Sequence, residues 1–405
     1  MIERSYFYEY QISGKYLTEG VNMLAVEVHQ FTVNSSDLRF EMEMKGMSYS
    51  GITLLDSVVF GNQSTDVSYG RNPDNLFEWK YFASPTPGET NSGATITTTS
   101  KSEAVIFSAE SGFYQSPMEI QLDAISADAV IRYTIDGSTP AMNSPVYSEP
   151  ISIDENTVVK AKTFVPDYIP GPTTTHTYFI NEHDYDLPVV SFSADPLTLW
   201  NDDFGIYENS LKQREIPANI EYFNIEGDSE FKLDAGARIG GMNIWRFAQK
   251  PLLVIASGDY GSDFINYQLF DSKSVGTFKS IVLRNGGDTW NTSMLPDAMT
   301  EAILDGQMQN GSQSYKPCVV FLNGSYWGIH NIRDRFDAEY FTSNFGVISG
   351  SLDHLEYAYT AGGISQQIVE GSSADYNSMI NYVLHYDPED DAQYQYLISQ
   401  MDMDS

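Results

Sequence analysis

Cysteine and basic residues are both scarce in this sequence. Cys318 is the only cysteine, which excludes an intramolecular disulfide and a cysteine-based zinc site. Lysine and arginine together number 22 against 55 aspartates and glutamates, so the formal net charge is -33. A field of this sign repels phosphate backbones and anionic lipids, and we therefore expect neither nucleic acid nor a membrane surface as a partner. No apolar run is long enough to span a bilayer.

Apolar residues are nevertheless plentiful enough to build packed cores. They make up 41% of the chain and aromatic residues 13%, which argues against general disorder. At 405 residues the chain exceeds what a single hydrophobic core usually serves. We therefore expect about two to four domains.

The first 105 residues divide into two β-rich segments. Residues 21–29 and 38–44 alternate apolar and polar side chains, as half-buried strands do. Two or three strands bury too little apolar surface to fold alone, so we expect residues 1–47 to be the end of a truncated β domain. Residues 48–105 are rich in turn formers and close with a polar linker, 95–102.

Both segments resemble known protein modules. Residues 1–47 are similar to the closing strands of jelly-roll, galactose-binding-like domains. Within 48–105, the runs Asp56 to Gly61, Ser68 to Arg71 and Thr86 to Asn91 resemble a lamin-tail-associated segment of secreted bacterial multidomain proteins.

Residues 106–180 carry the clearest small module. Strand-like runs at 120–122, 130–135 and 158–162 have the spacing of a β-sandwich, with the turn Asp136-Gly137-Ser138-Thr139-Pro140 between them. These motifs resemble the fibronectin-like domain at the end of chitobiases. A spacer and a sugar-binding site are the two interpretations, since a fold alone does not define a function.

Residues 187–346 combine strands, helices and a strong hairpin signal. Asn323-Gly324 lies between two apolar runs, which predicts a type I′ turn. A helix is predicted around Ala298 to Gly306, and another from Phe336 to Phe345 that Gly346 ends. The predicted strands are 188–193, 218–224, 231–239, 251–256 and 281–284. This pattern predicts an α+β lobe, which resembles the small lobe of a kinase.

Phosphoryl transfer suits this lobe, because it needs a lysine on the phosphates, a carboxylate that holds the lysine, and magnesium. Lys250 precedes a predicted strand, and Glu301 lies on the first predicted helix. We expect these two side chains to form an ion pair beneath the Gly240-Gly241 turn. A solvated lysine and an exposed glutamate are the alternatives, and the glycine pair matches no phosphate-binding motif.

The stretch from 188 to 405 is similar to CotH-type kinases, atypical protein kinases of spore coats and bacterial surface proteins. The motifs that carry the resemblance are Arg238 to Gly241, Gln249-Lys250, Tyr260-Gly261, Leu283 to Asp288, Phe321 to Ile329 and Asn331 to Asp337. The resemblance implies nucleotide binding through Lys250, Glu301, Gly240, Gly241, Arg333 and Asp334. It also implies that the backbone from Asn331 onward meets adenine.

The same resemblance implies the activity and its setting. A full-length relative transfers phosphate from ATP, with Mg2+, to serine or threonine of secreted or cell-surface bacterial proteins. Relatives carry their magnesium-binding aspartates beyond a segment like Met401 to Ser405. We therefore expect a truncated, catalytically inactive fragment with weak ATP affinity at best, and we can name neither catalytic residues nor metal ligands.

Residues 347–405 complete the predicted architecture. A glycine-containing loop at 347–362 precedes two amphipathic helices, around 376–384 and from 394 onward. The overall fold prediction is multidomain: small all-β modules, the α+β kinase-like N-lobe at 187–346, and an incomplete helical C-lobe at 347–405.

Two other functions remain open. A non-enzymatic surface or adhesion protein would use the kinase-like lobe as a binding scaffold. A carbohydrate-binding multimodular protein would contact glycans through its β modules, although no pair of glycosidase carboxylates can be singled out from the sequence.

Overall fold

The structure is a computed structural model of a multidomain, mostly β protein. It describes residues 40–48, 51–60, 67–72, 75–82, 91, 95–96, 101–182, 185–241, 247–305, 311–348, 350–360, 363–387 and 389–400. The strand predicted at 21–29 and the segment 401–405 lie outside the described residues. Five α-helices occur in the described part, and none of them is long and apolar enough to cross a membrane.

Two small β units lie in the first hundred residues. β1 (Phe40–Ser48) and β2 (Gly51–Phe60) form an antiparallel pair. β3 (Ser68–Asn72), β4 (Asn75–Phe82) and β5 (Thr95–Ile96) form a three-stranded sheet. The strand predicted at 38–44 therefore lies within β1.

The next eight strands form a unit that we call the sandwich. They are β6 (Ile106–Phe107), β7 (Gly112–Tyr114), β8 (Met118–Ile120), β9 (Leu122–Asp123), β10 (Val130–Thr134), β11 (Ile151–Ile153), β12 (Thr157–Phe164) and β13 (Thr174–Ile180). A four-stranded sheet of order β10-β12-β13-β7 packs against the ribbons β8-β11 and β6-β9. Gly137 has a φ of 91° in the predicted turn, which favours glycine there.

Seven further strands close into a unit that we call the barrel. They are β14 (Val189–Ser193), β15 (Ile216–Phe223), β16 (Ser229–Ile239), β17 (Leu252–Ile255), β20 (Ser280–Arg284), β21 (Tyr315–Leu322) and β22 (Ser325–Asp334), in the order β14-β15-β16-β17-β20-β22-β21. The parallel pairing of Val189 with Val319 completes the closure. Alternate residues, such as Phe192, Leu252 and Leu283, fill the interior.

The hairpin and the helices lie where the sequence predicted them. Asn323 and Gly324 have φ values of 48° and 80° between β21 and β22, as a type I′ turn requires. Gly346 has a φ of 68° and caps the C-terminus of the helix that ends at Phe345. The helices are α1 (Pro196–Trp200), α2 (Leu295–Leu304), α3 (Ala338–Phe345), α4 (Ala374–His385) and α5 (Asp391–Gln400).

Two short ribbons complete the described fold. β18 (Ile265–Asn266) pairs with β19 (Thr277–Phe278) between β17 and β20. β23 (His354–Thr360) pairs with β24 (Gly363–Glu370) between α3 and α4. The prediction of a loop over 347–362 is wrong for β23, whose alternating Leu355, Tyr357 and Tyr359 carry a strand pattern.

Candidate functional site

Lys250 lies beside a cavity of about 300 Å³ at one end of the barrel. The cavity is lined by Trp200, Tyr207, Glu208, Ser210, Ala248, Lys250 and Trp327. Lys250 immediately precedes the buried segment that leads into β17, and the residue is only 7% exposed. A cavity of this size accommodates a small ligand, and its lining combines an ammonium, a carboxylate and aromatic rings.

Three aromatic rings form one wall of this cavity. The ring centroids lie 4.4 Å apart for Trp200 and Tyr207, and 5.5 Å apart for Trp200 and Trp327. Tyr207 meets Trp327 edge to face at 5.6 Å. Trp200 is 38% exposed whereas Tyr207 is 4% exposed, so part of the Trp200 ring is open to a ligand.

A tight return of the chain after α1 brings Tyr207 and Glu208 to the cavity. Asp195 caps α1 by accepting a hydrogen bond from the Leu197 amide, at 2.8 Å. A side chain at Gly205 would clash with backbone atoms of α1 and of Asn201. Glycine therefore allows the chain to fold back against α1, which places the next residues at the cavity.

Burial and one carboxylate set the charge state of Lys250. Its Nζ donates a hydrogen bond to the Phe247 carbonyl at 2.8 Å. Burial lowers the pKa of Lys250, and the charge of Glu208 raises it in part, leaving the pKa below its usual value. Among the residues that the structure describes, Glu208 is therefore the carboxylate whose charge acts on this lysine.

Gln249 anchors the backbone in front of Lys250. Its side-chain nitrogen donates to the carbonyls of Trp327 and Ile329, both at 3.1 Å, and its side-chain oxygen accepts from the Trp290 indole. Its own carbonyl accepts from the Asn285 side chain at 2.7 Å. These bonds tie the segment before β17 to β22 and to the segment after β20, and they fix the backbone next to Lys250.

Glu301 does not pair with Lys250, and the prediction of that ion pair is wrong. Its Oε1 lies 3.7 Å from Nη1 of Arg333, and its Oε2 accepts from the Gln313 amide at 3.0 Å. The reason is the position of α2. Lys250 lines the cavity at one end of the barrel, whereas α2 places Glu301 beside Arg333. Arg333 lies on the outer face of β22, because its neighbour Ile332 fills the barrel interior.

Arg333 and Asp334 also support the fold rather than line the cavity. Arg333 Nη2 lies 2.9 Å from Asp297 on α2, and the Asp334 carboxylate pairs with Lys273. Burial raises the pKa of Asp334 above its usual value, although Lys273 opposes this.

The backbone from Asn331 to Arg333 is also engaged, in hydrogen bonds between strands. Asn331 to Arg333 pair with β20 on one side and with β21 on the other. The expectation that this backbone meets adenine is therefore wrong for these three residues, because their peptide groups already serve the barrel.

The glycine turn lies next to Lys250, as the sequence predicted. The Gly240 amide donates to the Pro251 carbonyl at 3.1 Å, and Gly241 has a φ of 94°. Of the predicted nucleotide-binding residues, Lys250, Gly240 and Gly241 thus lie together, while Glu301, Arg333 and Asp334 form contacts elsewhere.

Sequence reasoning missed the rest of the cavity. Trp200, Tyr207, Glu208 and Trp327 come from α1, the turn after it and β22. The available signals were Trp200 and Tyr207 on the two sides of Gly205, and a tryptophan in the second strand of the predicted hairpin. Among the described residues, no group of three or more His, Cys, Asp or Glu side chains is arranged to hold a metal ion.

Comparisons with known proteins agree with this architecture. Residues 109–175 match the family described as chitobiase/beta-hexosaminidase C-terminal domain, and residues 238–405 match the family described as CotH kinase protein. A search of curated proteins found no match. The chain therefore contains a CotH kinase domain preceded by a chitobiase/beta-hexosaminidase C-terminal domain.

Proposed function

We propose that this chain provides the nucleotide-binding part of a kinase that transfers phosphate from ATP to serine or threonine of secreted or surface proteins. The observation that carries the proposal is the buried ammonium of Lys250 in an aromatic-walled cavity, within the span that matches the CotH kinase family. The barrel with α2 inserted before its last hairpin is then the kinase-like N-lobe, and 347–405 begins the C-lobe.

The cavity has the chemistry that a nucleotide needs. The Lys250 ammonium suits phosphate oxygens, since charge-assisted hydrogen bonds are stronger than neutral ones. The open part of the Trp200 ring suits a nucleobase, because aromatic side chains stack on the faces of bases. Magnesium would neutralise phosphate charge in such a reaction. The described residues supply no acidic cluster for it, and we assign no magnesium ligand.

Titration with ATP tests this proposal. Because Trp200 and Trp327 line the cavity, ATP should change tryptophan emission with a saturable dependence on concentration. Replacing Lys250 with methionine should weaken binding by about tenfold or more, since a hydrogen bond to a charged group contributes ~1.5–3 kcal/mol.

The matched control is Lys279→Met. Lys279 is a partly exposed lysine 3.5 Å from Asp263, and it does not line the cavity. Its loss should leave ATP binding unchanged. Absence of any saturable response in the unaltered chain, or wild-type affinity in Lys250→Met, would contradict the proposal and favour a non-enzymatic binding scaffold.

A pH series tests the role assigned to Glu208. ATP binding through the Lys250 ammonium should be lost as pH rises through the lysine pKa, which lies below the ordinary 10.5. Glu208 raises that pKa, so Glu208→Gln should move the loss of ATP binding to lower pH. The measurement is the ATP titration repeated from neutral to alkaline pH, and an unmoved profile would exclude Glu208 as the partner of Lys250.

Carbohydrate binding by the sandwich is a second candidate. The match of residues 109–175 to the chitobiase/beta-hexosaminidase C-terminal family favours it. Binding of this protein to an array of bacterial surface glycans tests it, and a contact with glycan would suit a secreted or cell-surface location. No binding to any glycan would leave the sandwich with a structural role.

A further inference from the structure

The two central strands of the sandwich sheet β10-β12-β13-β7, namely β12 and β13, are buried on both of their faces. Six consecutive residues of β13, from Thr175 to Ile180, are buried, and so are the seven from Val158 to Phe164 in β12. In a free two-layer sandwich the outward-facing residues of such strands face water. Tyr178 and Ile180 of β13 fill the core of the sandwich, so Thr177 and Phe179 point to its other side.

An aromatic cluster from the barrel covers the apolar half of this second face. The ring of Phe179 lies 4.7 Å from that of Phe321 and meets Phe223 edge to face at 5.6 Å. Val189 and Val319 belong to the same buried cluster. Strands β14, β15 and β21 therefore present apolar side chains outward at the place where the sandwich lies against them.

A buried polar cluster occupies the other half of the contact. Thr177 Oγ1 donates to Glu221 Oε1 at 2.9 Å, and it lies 2.8 Å from Oγ of Ser191. Glu221 is fully buried, and its Oε2 lies 3.9 Å from Nζ of Lys232. Burying a carboxylate costs free energy unless it is paired, so Thr177 and Lys232 offset the cost of closing this contact over Glu221.

The tip of the β21–β22 hairpin touches the sandwich as well. The Asn323 side chain lies against Gly137, where a Cβ would clash with it. A Cβ on Gly324 would lie 2.8 Å from the carbonyl oxygen of Asn156. The two glycine turns that the sequence analysis singled out thus meet each other at this contact, and each needs its glycine for the close approach.

We propose that the sandwich is docked on the barrel as a fixed part of it, so that the two units fold and unfold together and this face of the sandwich is closed to glycans and other proteins. The partner that this surface fits is the outer face of β14, β15 and β21 in the same chain. A glycan bound by the sandwich must therefore contact the ribbons or loops on its other sides.

The contact also supports the cavity beside Lys250. β14 leads directly into α1, which carries Trp200, and Trp327 lies three residues after Gly324 at the hairpin tip. Trp200 thus belongs to the helix that follows a covered strand, and Trp327 belongs to the hairpin whose tip touches the sandwich. The folding coupling that we propose does not require that the cavity bind a nucleotide, so it can hold or fail independently of the proposed function.

The positions of tryptophan allow a sharp test. The five tryptophans are Trp79, Trp200, Trp245, Trp290 and Trp327, and none lies within 106–180. Replacing Trp79 with Phe in the full chain leaves tryptophans only between residues 200 and 327. Tryptophan emission then reports on that part of the chain and not on the sandwich. Urea unfolding would be followed by this emission and by far-ultraviolet circular dichroism.

A substitution in the core of the sandwich then reveals the coupling. Ile120→Ala removes a fully buried side chain that belongs to the sandwich core and not to the contact with the barrel. We expect its tryptophan-detected midpoint to fall by the same amount of urea as its dichroism midpoint, in a single transition. Ile153→Val, a milder change in the same core, should give a smaller parallel shift if Ile120→Ala does not fold.

The control is Ile125→Ala, which changes a sandwich side chain that is 71% exposed and should move neither midpoint. A tryptophan-detected midpoint that stays in place while a separate dichroism transition moves to lower urea would overturn the proposal. That result would mean that the sandwich unfolds independently of the barrel.

Discussion

Replacing Asp297 with alanine is expected to lower the free energy of unfolding by about 3–5 kcal/mol, the cost of removing one partner from a buried ion pair. Asp297 accepts two hydrogen bonds from Arg284, both at 2.7 Å, and its Oδ2 lies 2.9 Å from Nη2 of Arg333. The Arg333 side chain is only 2% exposed. Without Asp297, the carboxylate left near the buried guanidinium of Arg333 would be that of Glu301, at 3.7 Å. Urea unfolding measures the loss.

A matched change on the same helix provides the control. Glu301→Gln removes a carboxylate that is 24% exposed and lies 3.7 Å from Arg333, while Asp297 stays in place. Its effect should remain within about 1 kcal/mol, as for partly exposed ion pairs. Equal losses in the two variants would contradict the view that Asp297 holds α2 on the barrel.

The same ion pair predicts a pH dependence. Burial raises the pKa of Asp297. The hydrogen bond and charge of Arg284, together with the charge of Arg333, lower this pKa by more, so that it lies below the usual 3.8. A carboxyl with a depressed folded pKa stabilises the protein above its unfolded pKa, and this stabilisation is lost as pH falls through the folded value. The cost of Asp297→Ala should therefore be constant near neutral pH and shrink in acid.

Lys273→Met is expected to cost a similar amount, about 3–5 kcal/mol at neutral pH, because it leaves the Asp334 carboxylate buried and unpaired. Asp334 is 3% exposed in its side chain, and Lys273 also donates to the Ser312 carbonyl at 3.1 Å. The Lys273 ammonium lies 4.7 Å from the centre of the Tyr340 ring, which α3 carries. Loss of the lysine should therefore loosen α3 as well.

The cost of this second variant also decreases in acid, but the decrease should begin at a higher pH than for Asp297→Ala. Burial raises the folded pKa of Asp334 even in the presence of Lys273, and removal of the lysine must raise it more. The carboxyl then takes up a proton as pH falls, so the cost of Lys273→Met should decrease toward mildly acidic pH. Lys279→Met, at a lysine that is 39% exposed, is the control and should cost no more than about 1 kcal/mol. A cost independent of pH would exclude Asp334 as the affected group.

Local signals in the sequence predicted the local structure well. The turn at Asn323-Gly324 and the helix end at Gly346 follow from residues that tolerate a positive φ, and both have it. The strands of the barrel lie within a few residues of their predicted positions, because alternation and apolar runs are local patterns.

The arrangement of these elements depends on contacts between distant residues, which no local pattern specifies. The barrel closes through the pairing of Val189 with Val319, and the faces of its strands follow from that register. The positions of Lys250 at the cavity and of α2 on the outer face of β22 could not be deduced without it. The ion pair with Glu301 was therefore predicted from analogy, and Glu301 instead contacts Arg333 and Gln313.

The candidate site illustrates the same limit. Lys250 was found from its position before a strand, but its neighbours Trp200, Glu208 and Trp327 come from segments that are far apart in sequence. Glu208 follows Gly205, whose role is visible only once the close return against α1 is known. Sequence reasoning could name the lysine, and the fold supplies the carboxylate that acts on it.

The most direct test of a nucleotide at Lys250 is chemical labelling with an acyl phosphate of ATP, which transfers its acyl group to a lysine beside the bound phosphates. Peptide mass spectrometry then identifies the labelled lysine, and excess ATP shows whether labelling depends on the site. We expect Lys250 to carry the label and ATP to suppress it, with Lys279 unaffected. Labelling that spares Lys250, or that ATP does not suppress, would contradict the assignment.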